Sequence, residues 1–488
     1  MPRNSFLKEQ CYIAGEWVGP STPGSTDEAR IEVINPATGE MLGTVPNFGR
    51  SESALAIDKA QIAFEDWRRR SAYERAGFCM AMHDALMDNQ KVLGELLTLE
   101  MGKPLAEAKG EIAFGAGFFK WFAEEARRVY GDVVPSPWPD KKIIITKEPV
   151  GVVGTITPWN FPSAMIARKV AAAFAAGCTV ISKPASETPF SAFAFGVLAD
   201  EIDLPKGVLS VITGDPEPIA DEMCEHPNLR KVTFTGSTRI GKELASKASR
   251  HMKRISMELG GNAPLIIFDD ANLDKAVDGA IACKFRNSGQ TCVCANRIYV
   301  QSGIYDAFAK KLAEKVTAMN VGNGLDDGVE QGPLISDAAV QKVESHIADA
   351  TKRGAKIITG GARHGLGLTF FQPTILTDAS SEMKVASEET FGPLAPLFKF
   401  ETEEEVIKAA NATEYGLASY CYTNDLGRAW RMTDALDYGM VAINEGILST
   451  PIAPFGGVKD SGQGREGSKY GLDDYINVKY ALFGGLSK

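Results

Sequence analysis

Residues 284–297 read KFRNSGQTCVCANR, and Cys292 stands among small and polar neighbours. A structural cysteine ordinarily sits among apolar ones. This cysteine follows Ser288, Gly289, Gln290 and Thr291, the setting of a loop that presents a reactive thiol. Such a thiol needs a base or a positive field before it becomes a nucleophile. Three other stretches offer groups for that chemistry. Residues 157–162, TPWNFP, form a rigid turn with one amide, Asn160, a donor suited to a developing oxyanion. Residues 258–262, ELGGN, set the carboxylate of Glu258 beside two glycines, a pattern for close approach and general-base work. Residues 234–241, FTGSTRIG, end a strand and begin a helix. There Gly236 admits a ligand to the backbone, Ser237 and Thr238 add hydroxyls, and the helix start attracts an anion.

Each stretch also has a plainer reading. Asn160 fits a packing turn, Glu258 a solvated strand edge, and the Gly-x4-Gly spacing an ordinary β-to-α turn. Two more turns, SEETFGP at 387–393 and PFGGVK at 454–459, carry one aromatic each, Phe391 and Phe455. Hairpin chemistry accounts for either alone. Cys294 reads as a small buried residue or as the partner of Cys292 in a strained, reversible disulfide.

The elements that must position these groups follow a strand–turn–helix grammar from residue 150. Strands are predicted at 151–156, 179–183, 208–213, 231–235 and 264–268. Helices are predicted at 165–175, 191–199, 219–224, 238–249 and 273–282. That alternation implies a doubly wound parallel sheet, with ligands at the carboxyl ends of its strands. Upstream lie two hairpins, with turns at 14–15 and 35–39. Helices follow, the first capped by Ser51, the next spanning 72–100 and 105–130, and then a strand at 142–147. Downstream a second α/β unit carries strands at 298–301, 356–359 and 440–443, and helices at 305–319, 339–353 and 403–410. A last strand lies within 474–483.

At 488 residues the chain requires two or three domains. A net charge of -10 argues against a nucleic-acid partner. Eight scattered cysteines favour a reducing compartment. The first residues lack the apolar core of a signal peptide, and the longest nearly apolar run, 170–181, is too short for a membrane span. A cytoplasmic protein without a membrane partner is expected. None of the five histidines pairs at metal-ligand spacing, so neither a metal site nor a Ser-His-Asp triad is expected.

The motifs PWNFP, FTGSTRIG, ELGGNAP, GQTC, EETFGP and PFGGVKDSG follow one another in that order. Through them the chain resembles the NAD(P)-dependent aldehyde dehydrogenase superfamily over essentially its whole length. The resemblance implies an aldehyde dehydrogenase-like α/β fold in three parts. These are a Rossmann-type cofactor domain (1–130 and 148–257), an α/β catalytic domain (258–460) and a small β oligomerisation element (131–147 and 470–488). It implies a homo-oligomer, a dimer or a tetramer. It makes Cys292 the nucleophile on the aldehyde carbon, and Asn160 with the Cys292 N–H the oxyanion hole. Glu258 becomes the base for thioester hydrolysis, and Lys169 a positioning or proton-relaying lysine. Thr157, Pro158, Trp159, Lys183, Ser186, Gly236, Ser237, Glu389 and Phe391 fall at cofactor-binding positions. NAD-preferring relatives often carry glutamate where Ser186 stands. A carboxylate there repels a 2′-phosphate, whereas serine and Lys183 accept one, so NADP use at least comparable to NAD is expected.

Within the superfamily the chain is most similar to the succinate-semialdehyde dehydrogenase branch, through FRNSGQTCVCANR and the segment VAINEGILS at 441–449. The substrate of that branch carries a carboxylate. Arg168 and Arg286 stand where the branch places a guanidinium clamp, with Ser449 (or its neighbour Thr450) and Phe455 completing the pocket. Glutarate semialdehyde is the alternative, because one methylene discriminates by only about 1–3 kcal/mol. The Cys292–Cys294 pair resembles a redox switch of the same branch. Two further classes stay open: an inert structural relative of the fold, and a CoA-dependent thioester former. The presence of Cys292 and Glu258 argues for the hydrolytic enzyme.

Overall fold

Two largely parallel sheets organise the chain, described for residues 5–19 and 30–486 in a computed structural model. Residues 1–4, 20–29 and 487–488, inside the expected segments 1–130 and 470–488, lie outside that description. The first sheet runs Arg254–Glu258, Leu229–Thr235, Val152–Ile156, Thr179–Lys183, Leu209–Val211, all parallel. The hairpin Cys11–Ile13 and Glu16–Val18 extends one edge antiparallel, and Gly462–Gln463 extends the other. Its central strands read VVGTI and TVISK and are buried nearly throughout, as strands covered on both faces must be. Helix Ala164–Ala176 is buried along its whole length for the same reason.

The second sheet has the order Lys356–Thr359, Thr374–Ala379, Leu394–Phe400, Ala295–Gln301, Ala263–Ile267, Ala418–Tyr422, Met440–Ile443. Only its first pair is antiparallel. Separate apolar cores fill its two faces. A third, antiparallel sheet joins Ile476–Phe483, Lys142–Pro149 and Asp132–Val134, and leaves Val133, Val478 and Tyr480 exposed.

Several expectations shift. The strand expected at 264–268 lies inside the second sheet, between Ala295–Gln301 and Ala418–Tyr422, and is not a member of the first. The first sheet instead takes Arg254–Glu258, whose sequence RISME is short and charged at both ends. Glu258 therefore closes a strand rather than opening one. The helix Arg50–Trp67 begins before Ser51, with the Gly49 N–H donating to Glu52 Oε2 at 3.0 Å, so Ser51 is not its cap. The helix expected over 72–100 is two, Ala72–Asp88 and Gln90–Met101, meeting at Asn89. The second sheet also contains Thr374–Ala379, Leu394–Phe400 and Ala418–Tyr422, none of them anticipated. Among the described residues no helix is long and apolar enough to cross a membrane, and no cluster of three His, Cys, Asp or Glu is placed to hold a metal ion.

Register explains where the motifs meet. Ile156 pairs with Phe234, and Thr235 with Glu258, so the TPWN, TGST and ELGG turns leave the first sheet at one edge. Ala263 pairs with Ala295, so the second sheet starts its strands just past ELGG and just past Cys292. The carboxyl ends of one sheet thus face the amino ends of the other.

Candidate active site

A cavity of about 620 Å³ occupies that junction. Cys292, Asn160 and Glu258 line it together, from three segments more than thirty residues apart in sequence. Gly261 lets the chain pass close behind the thiol: a Cβ there would lie 2.4 Å from the Cys292 carbonyl oxygen. The nucleophile segment is strained. Asn287 and Ser288 both hold φ of 53°, a left-handed conformation costing about 1–3 kcal/mol per residue. Tertiary hydrogen bonds hold it there. The Asn287 N–H donates to Glu107 Oε2 at 2.9 Å, and Ser288 Oγ donates to the Gly332 carbonyl at 2.9 Å.

Burial pushes the Cys292 thiol up to about 12, against the pull of Arg168, so the sulfur rests as a thiol at neutral pH. Glu258 is fully buried, and neither carboxyl oxygen has a hydrogen-bond partner among the described residues. Burial, then the negative charge of Glu466, raises it well above the usual carboxylate range. Glu466 itself is held below that range, because Arg168 and then Lys169 outweigh the opposing effect of burial.

Glu466 changes the reading of two expected residues. Arg168 lines the cavity, but its guanidinium is ion-paired with Glu466 and stacked over the Phe455 ring at 4.7 Å. Lys169 is fully buried, bonded to the other Glu466 oxygen and to Thr233, and does not line the cavity. The expected two-arginine clamp therefore has one free member. Arg286 lines the cavity, makes no ion pair within 4 Å among the described residues, and sits over the Phe161 ring at 5.4 Å. Ser449 lines the same cavity; Thr450 does not.

The cavity continues past Pro158, Trp159, Gly236, Ser237, Glu389 and Phe391. These residues suit a dinucleotide. Ser237 starts helix Thr238–Ser249 with its hydroxyl free of any capping bond, and the helix start presents unpaired N–H groups to an anion. A Cβ on Gly236 would strike the Phe234 ring at 2.4 Å, so the turn can only be this tight with glycine. Trp159 and Phe391 meet edge to face at 5.5 Å and form an aromatic wall. Glu389 accepts the Gly261 N–H at 3.1 Å, and burial raises it to about 7. Three expected cofactor residues lie off this cavity. Thr157 is buried, Lys183 is buried with its amine on the Pro184 carbonyl at 3.1 Å, and Ser186 is half-buried beside an exposed Glu187. Cys294 is buried too. Its sulfur accepts the Thr291 hydroxyl at 3.0 Å and lies 3.5 Å from the Lys284 carbonyl.

Sequence reasoning missed Glu466, Glu107, Glu111 and Lys342. The last three line the cavity, and Glu466 sits behind it. Glu107 and Glu111 carry a weak signal, an i,i+4 spacing on one helix; Glu466 carries none.

Two α/β units closing on one cavity, with a thiol, an amide donor and a buried carboxylate at one end and a dinucleotide-shaped cleft at the other, define a thiol-based oxidoreductase. The chain belongs to the aldehyde dehydrogenase family, whose model matches residues 23–481. It is 52% identical over 486 residues to a succinate semialdehyde dehydrogenase of Acinetobacter baylyi, covering 100% of both chains. It is 54% identical over 481 residues to a glutarate-semialdehyde dehydrogenase of Pseudomonas aeruginosa, covering 99% of each. An NADP-dependent enzyme of E. coli superposes with a TM-score of 0.96 at 53% identity, over 98% of each chain.

Proposed function

We propose that the chain oxidises succinate semialdehyde to succinate with NADP, NAD serving as a second acceptor. The observation that carries the substrate is Arg286, a guanidinium without a carboxylate partner among the described residues, in the cavity that holds Cys292. The aldehyde end reaches the sulfur while the carboxylate meets Arg286 and Ser449. Cys292 gives its proton to solvent water and its sulfur bonds to the aldehyde carbon. The oxygen gains the electron pair of the carbonyl, and Asn160 with the Cys292 N–H stabilises it. The bound dinucleotide supplies a hydride acceptor, which leaves a thioester on Cys292. Glu258 then takes a proton from water as its oxygen attacks the thioester carbon; the acid is released and the sulfur is free again. Gly236 and Ser237 hold the pyrophosphate, Glu389 the ribose, and Trp159 and Phe391 the nicotinamide side.

Arg286→Ala is expected to raise KM for succinate semialdehyde roughly 10–100-fold, the loss of one charge-assisted contact. KM for butanal is expected to change by less than about threefold, since that substrate has no carboxylate. Steady-state kinetics on both substrates decide the matter, and an equal loss on both removes the anchor. Glutarate semialdehyde is the second reading, favoured by the Pseudomonas relative at the same level of identity. For the cofactor, kcat/KM with NADP is expected to equal or exceed that with NAD, because Ser186 brings no carboxylate to the 2′ position. A large NAD preference in that comparison overturns the assignment.

Eight free cysteines support a reducing, cytoplasmic setting. The exposed apolar residues of the three-stranded sheet support a homo-oligomer. A Cys292–Cys294 disulfide requires Cys294 to leave Thr291 and Lys284, so a redox switch here involves movement of the nucleophile segment.

A further inference from the structure

Lys103 lies between helices Gln90–Met101 and Leu105–Ala126, with its side chain fully buried. Its amine donates to Glu111 Oε2 at 2.6 Å and to the Asn160 carbonyl at 2.7 Å, and stands 3.8 Å from the centre of the Phe161 ring. Glu111 Oε1 accepts the Ser163 and Ala164 N–H groups at 2.9 and 3.1 Å, where helix Ala164–Ala176 begins. One ion pair therefore grips both sides of the NFP turn.

The turn is in addition closed onto the nucleophile segment. The Asn160 carbonyl accepts a second bond, from Asn287 Nδ2 at 3.0 Å. Asn287 Nδ2 also donates to the Gln290 carbonyl at 3.2 Å, and that carbonyl accepts Asn160 Nδ2 at 2.9 Å. Main chain and side chain of Asn160 thus form a closed ring with residues 287–290, just before Cys292. The Asn160 amide keeps a second proton, and Asn160 lines the cavity. Among the described residues Lys103 is the one charged donor bonded to this ring, and a charge-assisted bond is stronger than a neutral one. Glu107, one turn before Glu111 on the same helix, holds Asn287 from the other side.

We propose that Lys103, paired with Glu111, is a positioning residue for hydride-generating attack. It fixes the Asn160 main chain, and through the ring it sets the oxyanion amide against Cys292. The proposal rests on the roles given above to Asn160 and Cys292. It assigns work in the reaction to a buried ion pair that acts through the Asn160 main chain.

The test is the burst of reduced dinucleotide in rapid mixing, measured for Lys103→Met with Glu111→Gln, a change that leaves no unpaired buried charge. The burst rate is expected to fall about 100-fold, the scale of losing one oxyanion donor. Dinucleotide affinity, read by fluorescence titration, stays within roughly twofold, because the ring lies at the other end of the cavity. In an Asn160→Ala background the same change is expected to cost less than roughly threefold, because the amide it orients is gone. The same factor in both backgrounds shows a merely structural pair and overturns the proposal, as does a parental burst rate. Glu111→Gln alone keeps the shape and an acceptor at Ser163, and serves if the paired change does not fold. It is expected to lose about tenfold, again only with Asn160 present. An Asn160→Ala enzyme with the parental burst overturns the role of Asn160 and the proposal with it; a slow Asn160→Ala enzyme without coupling overturns the proposal alone.

Discussion

Cys292→Ala is expected to abolish aldehyde oxidation, with kcat down about 10⁵–10⁶-fold, while dinucleotide affinity is unchanged. The size follows from losing a covalent nucleophile, whose removal in a concerted site costs nearly the whole catalytic effect. Affinity survives because the residues proposed to hold the dinucleotide, Gly236, Ser237 and Glu389, belong to other segments. The structure adds a condition on the parent enzyme. Burial pushes the thiol up to about 12. Alkylation of Cys292 by iodoacetamide should therefore be slow at neutral pH and quicken as pH rises, because only the thiolate attacks. Activity, fluorescence titration and the alkylation rate are three independent readings. A Cys292→Ala enzyme with more than about 1% of the parental kcat takes the thiol out of the chemistry.

Glu258→Gln is expected to separate the two halves of the reaction. The first half needs no water, so one equivalent of reduced dinucleotide should still form per site. The second half loses its base and slows about 10²–10⁴-fold, so an acylated Cys292 accumulates and is visible by intact-mass spectrometry. The pH dependence has a definite sign. Burial and the charge of Glu466 raise Glu258 well above the usual carboxylate range. Its base form grows as pH rises through that raised value, and hydrolysis in the parent should rise with it. The variant has no such limb. Folding stability runs the other way: the folded state binds this proton more tightly than the unfolded one, so the contribution is present at low pH and is lost as pH rises. A Glu258→Gln enzyme with steady turnover and no burst assigns the hydrolytic base elsewhere.

What the sequence disclosed was local. TPWN and TGST each sit where a strand ends, and turn chemistry is written in the residues of the turn itself. Parallel register then does the rest, since carboxyl ends of neighbouring strands necessarily share an edge. The division of the two sheets was less legible. RISME and APLII are both short, and although only the second is wholly apolar, no local feature says which sheet receives which. The electrostatics were not legible at all. Arg168 and Lys169 look like two free cations beside a motif, and what binds them is Glu466, 297 residues beyond Lys169. A charge becomes an ion pair only through the tertiary fold. Arg286 keeps its expected freedom: it has no ion pair within 4 Å among the described residues, while Glu107 of the same cavity wall accepts the Asn287 N–H.

The strand Gly462–Gln463 closes the first sheet by pairing with Met257 and Glu258, and it carries Glu466 in behind it. On a ribosome, synthesis runs from the amino terminus at about 5–20 residues per second. For the whole time needed to make residues 259 to 466, the first sheet exists without its edge strand, and Arg168 and Lys169 are without their counter-ion. The amino-terminal half cannot reach its final charge balance as it emerges. Completion of the sheet and neutralisation of its core arrive together, and only after residue 466 has been made.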